Sequence, residues 1–148
     1  MNKKLKLAAI TGVLALAAAG TVTIAQRNGE QAAAIAGDFR NAGVAEVHGP
    51  QGQVLMRGSF APADSDDEGE VERLAPLTAV ASEFSGAKGE AEIEYETDAP
   101  TDQEVELSLT GAPAGTEITF VIDGQPIATA KADNRGRISI ELMVKAGA

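Results

Sequence analysis

The chain has 148 residues, a formal charge of −10 at neutral pH, one histidine and no cysteine or tryptophan. The missing cysteines exclude disulfides, thiolate nucleophiles, cysteine-ligated zinc, iron–sulfur clusters and a lipidated cysteine anchor. The acidic balance repels nucleic acid and anionic lipid, so no nucleic-acid partner is expected, and it favours cations, basic proteins or plain solvation.

Lys3, Lys4 and Lys6 precede an uncharged, alanine-rich run from Leu7 to Ala25. A basic start followed by an apolar segment reads as a secretory signal peptide. The run also sits at the lower limit of the ~17–25 residues that a membrane span needs, so an N-terminal anchor is the alternative. Alanine and leucine favour helix here, and the helix is expected to continue through Gln31–Ile35. Thr23-Ile-Ala25 and Ala34-Ile-Ala36 are the two sites suited to signal peptidase, and the short alanine-rich run favours cleavage. The protein is therefore expected to be exported to the periplasm, the cell surface or the medium. If the segment is retained, residues 7–25 anchor it with the domain outside and the lysines in the cytoplasm. That segment is then the protein's one contact with membrane. The expected organisation is a signal peptide or anchor over 1–36, a linker over 37–43 and a folded domain over 44–148.

The domain reads as strands and turns. Val44–Val47 and Gln53–Phe60 flank the turn cluster His48-Gly-Pro-Gln-Gly52 and predict a hairpin. Ala61–Glu72 is a charged loop. Val71–Val80 is ambiguous, because Pro76 admits only an edge strand or a bulge. Glu90–Glu96 alternates strictly, with Ala91, Ile93 and Tyr95 on one face and glutamates on the other. After the Thr97–Asp102 turn, Glu104–Thr110 repeats the scheme with Val105, Leu107 and Leu109 inward. The end of the chain reads as a three-stranded meander. Ile118, Phe120 and Ile122 alternate, Asp123-Gly124 supplies a type I′ turn that sets Phe120 opposite Ile127, and Asp133–Gly136 turns into Ile138, Ile140 and Leu142. About seven short strands with regular turn signals predict an all-β, antiparallel β-sandwich with Greek-key connections behind an N-terminal hydrophobic helix, a closed barrel being the alternative. The core is made of Val, Ile, Leu and Ala, with few large aromatic anchors.

The pattern Gly89-x-Ala91-x-Ile93-x-Tyr95, Leu107-x-Leu109-x-Gly111-x-Pro113-x-Gly115, Val121-x-Asp123-Gly124 and Thr129-x-x-x-Asp133-x-x-Gly136 resembles small immunoglobulin-like β-sandwich domains of exported bacterial proteins without assigned function. The resemblance covers about the last 60 residues of the chain. It implies a fold and supplies no site residues.

Candidate sites are carboxylates. Glu90, Glu92, Glu94, Glu96, Glu104 and Glu106 share one face of a predicted hairpin, although like charges across a strand pair are destabilising. They would form a docking face for a basic protein, or a solvated face that discourages edge-to-edge aggregation. Asp64-x-Asp66-x-Glu68-Gly69 resembles the opening of a calcium loop, but the twelfth position holds Ala75 where a bidentate glutamate is required, which leaves only a weak calcium site. No other cofactor is expected. His48 lies in a turn with no nucleophile motif beside it, no serine stands in a nucleophile elbow, and the poverty of aromatic residues speaks against a sugar-binding cleft with paired carboxylates. Arg135 and Arg137 flank Gly136 at what reads as an ordinary turn, a small positive spot for self-association being the alternative. The expected function is a non-enzymatic protein-interaction or structural module at the cell envelope. A weak divalent-cation domain and a carboxylate- or His48-dependent hydrolase are the alternatives.

Overall fold

The computed structural model describes residues 22–23, 31–66 and 68–145. The fold is all-β. Its strands are β1 (Val22–Thr23), β2 (Gln31–Ala36), β3 (Val44–His48), β4 (Val54–Ser59), β5 (Asp64–Ser65), β6 (Glu70–Ala79), β7 (Lys88–Glu96), β8 (Asp102–Thr110), β9 (Glu117–Ile122), β10 (Gln125–Lys131) and β11 (Ile138–Lys145). Ten of them form one hydrogen-bonded path, β1-β10-β9-β3-β4-β6-β7-β8-β11-β2, and β5 pairs with β6 beside it. The path wraps around a single hydrophobic core as a near-barrel.

Long β6 makes the wrap continuous. Its first part pairs with β7 and β5, and its last residues, Thr78 and Ala79, pair with Arg57 and Met56 of β4. Gly58 permits this crossing, since a Cβ there would lie 2.0 Å from the Pro76 carbonyl oxygen. The β3–β4 and β7–β8 hairpins form as their alternation predicts. All four phenylalanines, Phe39, Phe60, Phe84 and Phe120, enter the core.

The C-terminal meander does not form. β9 and β10 make a hairpin across Asp123 and Gly124, both at positive φ. β11 then leaves β10 and pairs with β8. The crossover into β9 and the crossover out of β10 run side by side, joined by Gly115 N–H to Ala132 O, Ala132 N–H to Thr116 O and Ala112 N–H to Gly136 O. A turn signal says that the chain reverses and leaves open which strand lies beside the next one. The register also differs. Phe120 stands opposite Ala128, because a bulge falls between Pro126 and Ala128, next to a proline that has no N–H to give the ladder.

The N-terminal part departs furthest from expectation. Gln31–Ile35, expected to extend a helix, belongs to strand β2, paired in parallel with β11. The ladder of β11 overrides the helical preference of the alanines. The Ala34-Ile-Ala36 cleavage site lies inside this strand. Of the apolar run over residues 7–25, only Val22 and Thr23 are described, and they pair in parallel with Ala128 and Thr129. The remainder of the expected helix, and the Ile24–Ala25 part of the other cleavage site, lie outside the described residues. The expected linker is docked: Phe39 and Ala42 are buried. Phe39 N–H donates to Gln103 Oε1 at 2.8 Å, and the Gln103 amide donates to Asp38 Oδ1 and to the Pro100 carbonyl. Among the described residues no helix is long and apolar enough to cross a membrane.

Candidate functional site: a carboxylate face across four strands

The strongest concentration of chemistry lies on the outer face of β6, β7, β8 and β11. Ala91, Ile93, Val105, Leu107, Ile140 and Leu142 turn inward and are almost wholly buried. Strand geometry then turns their neighbours outward. The register sets those neighbours in rows. Glu72 stands opposite Glu94, and Glu94 opposite Glu104. Glu92 stands opposite Glu106, and Glu106 opposite Glu141. Adjacent strands are only about 4.8 Å apart, so each row packs like charges against one another.

Burial adds to the repulsion. Partial burial raises the Glu92 carboxyl to about 8, helped by a hydrogen bond with Glu94 and by the charges of Glu94, Glu72 and Glu106. Glu104 is raised to about 7 by burial first and then by the charges of Glu141, Glu106 and Glu94. Burial and like charge therefore both favour the protonated form of these two carboxyls.

Two sets of three carboxylates come close enough to share a cation. Oxygens of Glu72, Glu92 and Glu94 lie within 4.8 Å of one another, and so do those of Glu104, Glu106 and Glu141. A depression of about 50 Å³ beside them is edged by Glu90, Glu92, Glu106, Ser108, Ser139 and Glu141. That is a small fraction of the ~300–1,000 Å³ of sites that enclose a small organic ligand.

Of the six glutamates singled out from the sequence, Glu92, Glu94, Glu104 and Glu106 fall in these two sets. Glu90 borders the depression, and Glu96 lies at the end of β7 opposite Glu70. Glu72 and Glu141 were missed. Glu141 carried a signal, the alternation of Ser139 and Glu141 with Ile138, Ile140 and Leu142, but its neighbour was assigned wrongly. Glu72 was hidden by Pro76, which made the whole segment ambiguous.

The other candidates are placed elsewhere. Asp66 organises the β5–β6 turn: its Oδ1 accepts the N–H groups of Glu68 and Glu70 at 2.9 and 3.0 Å. Asp64, Asp66 and Glu68 are exposed, and neither of the three-carboxylate groups found among the described residues includes them. His48 Nε2 lies 2.7 Å from Glu46 Oε2, and Arg57 Nε donates to Glu46 Oε1 at 2.6 Å. The His48 bond first and the Arg57 bond second hold the Glu46 carboxyl below its usual range. At the β10–β11 turn, Asp133 Oδ1 accepts the N–H groups of Arg135 and Arg137, and both arginines are exposed.

Comparison with known protein families, characterised proteins and solved structures finds no match for this chain.

Proposed function

We propose that the protein is an exported, non-enzymatic interaction module of the cell envelope that receives a cationic protein partner on the glutamate face of β6, β7, β8 and β11. One observation carries this reading: four strands place Glu72, Glu92, Glu94, Glu104, Glu106 and Glu141 in facing rows. Each row costs stability without a counter-charge, and a multivalent cationic surface removes that cost. The shallow depression suits a surface contact better than an enclosed substrate. Export rests on the basic start and the uncharged Leu7–Ala25 run. The return of β11 to β8 around the β9–β10 hairpin supports the immunoglobulin-like, Greek-key form of the fold.

Binding to poly-L-lysine, followed by fluorescence anisotropy over a salt series, tests the proposal. The native chain is expected to bind, with affinity falling steeply as salt rises. The variant E92Q/E94Q/E104Q/E106Q is expected to remain folded and to lose most of that binding. Equal binding by variant and native chain overturns the reading.

A second reading is favoured by the two carboxylate sets, which offer hard oxygen ligands to calcium or another divalent ion. A rise in Tm with millimolar calcium that is lost in E104Q/E106Q would favour it over a protein partner.

A further inference from the structure

Strand β2 is poorly supported by its own sequence. Gln31-Ala-Ala-Ala-Ile-Ala36 is dominated by alanine, which is depleted in strands and favoured in helices. It runs parallel to β11, and parallel pairing is slightly weaker per residue than antiparallel. It is one of the two terminal strands of the path and, among the described residues, pairs with β11 alone. Among its described side chains only Ile35 reaches the core, while Ala34 is half-buried and Ala36 exposed. Among the described contacts, the backbone ladder to Ile140–Lys145 and the Ile35 side chain hold β2.

The chain just after it is held quite differently. Gly37 N–H bonds the Lys145 carbonyl at 3.3 Å, and two residues on Phe39 is fixed by burial and by Gln103. The joint between loose strand and anchored chain is thus Gly37-Asp38. Gly37 has φ +158°, and a Cβ there would lie 2.9 Å from the Phe39 ring. A short, constrained joint beside a weakly held terminal strand is the arrangement that permits exchange between copies.

We infer that Gln31–Ala36 is an exchangeable strand, and that two copies of the chain associate by each laying this segment along the β11 edge of the other. The identical segment fits that edge by construction, in the register Ile140 opposite Gln31 through Lys145 opposite Ala36, with Ile35 filling the same place in the core. The β2–β11 hydrogen bonds broken within one chain re-form between two, and β1, which precedes β2 and pairs with β10, is carried across with it, so the balance is set by concentration and by release of the Gly37-Asp38 joint. The exchanged segment runs beside β11, the strand that carries Glu141 of the glutamate face, but association of copies and polycation binding are read by different experiments, so the two proposals fail separately.

The native chain has no cysteine, so introduced cysteines report cleanly. Ala34 and Met143 are partners across β2 and β11, and both are half-buried. The single variants A34C and M143C are mixed as full chains, unfolded, refolded together at high concentration and oxidised. Exchange predicts a covalent dimer on non-reducing gels, more abundant at higher refolding concentration and well above the dimer from either variant alone. No excess over the single variants, with the double variant A34C/M143C closing wholly within one chain, overturns the inference. Light scattering on the native chain gives a second test that needs no substitution. A dimer that forms with concentration and dissociates only slowly on dilution is expected, and a monomer at every concentration contradicts the exchange.

Discussion

At the residue scale, two polar side chains tie the N-terminal chain to the sheet. Asp123 sits at the tip of the β9–β10 hairpin with φ 48°, and its carboxylate accepts the N–H groups of Gly43 and Val44 at 2.9–3.1 Å. Asp123→Ala is expected to cost about 1–3 kcal/mol in urea unfolding, because two amides lose their partner. Asp123→Asn, which keeps an acceptor oxygen and tolerates positive φ, is expected to cost less. Gln103 is the one buried polar residue among those described, at 3 % exposure, and it serves Phe39, Asp38 and Pro100. Gln103→Leu keeps the volume but strands the Phe39 amide, for an expected loss of about 1–3 kcal/mol by the same measurement. The turn at Asp123-Gly124 was legible because it is local. Its hold on residues eighty positions earlier was not. Gln103 did leave a trace, since it occupies the inward phase of Val105, Leu107 and Leu109, although that phase says nothing about what it bonds.

At the element scale, hairpins were readable and strand neighbours across a crossover were not. Alternation and turn chemistry act within a few residues and correctly joined β3 to β4, β7 to β8 and β9 to β10. The place of β11 depends on which edge its buried face of Ile138, Ile140, Leu142 and Val144 can complete, and that edge was β8. The consequence is electrostatic: β11 brings Glu141 beside Glu106, and with Glu72 of β6 beside Glu94 a two-strand glutamate face becomes one of four strands. Replacing Glu92, Glu94 and Glu104 together with glutamine relieves the facing pairs Glu72–Glu94, Glu94–Glu104 and Glu92–Glu106. The variant is expected to gain about 1–2 kcal/mol in low-salt urea unfolding, with the gain shrinking as salt rises. A loss of stability at low salt would remove the repulsion from the account. The crossing of β4 and β6 gives an opposite case. Gly58→Ala would press a methyl group into the Pro76 carbonyl and is expected to cost about 1–3 kcal/mol by the same measurement.

At the scale of the whole molecule, the near-barrel buries no charged side chain among the described residues and gathers carboxylates on one flank. Glu92 and Glu104 hold protons more tightly folded than unfolded, with carboxyls raised from 4.5 to about 8 and about 7. The folded state therefore binds more protons than the unfolded chain between about pH 4.5 and 8, and their effect on stability weakens as pH rises through that window. Asp38, Glu46 and Asp133 act in the other direction, each held below its usual range by hydrogen bonds from neighbours. Their contribution is present above the ordinary carboxylate range and lost in stronger acid. Stability is thus expected to peak near pH 5. Thermal unfolding at pH 5 should exceed that at pH 8 by about 5 °C, since solvent screening leaves each raised glutamate an effect on the order of 1 kcal/mol.

The most direct test of the central claim, that the flank is a strained carboxylate surface awaiting a counter-charge, is an NMR pH titration of the glutamate carboxyl carbons with and without poly-L-lysine. Without it, Glu92 and Glu104 are expected to titrate near 8 and 7, well above the ordinary carboxylate range. With it, both should fall back towards the ordinary range as lysines displace protons. Glutamates that all titrate together in the ordinary range, unmoved by the polycation, would contradict the account.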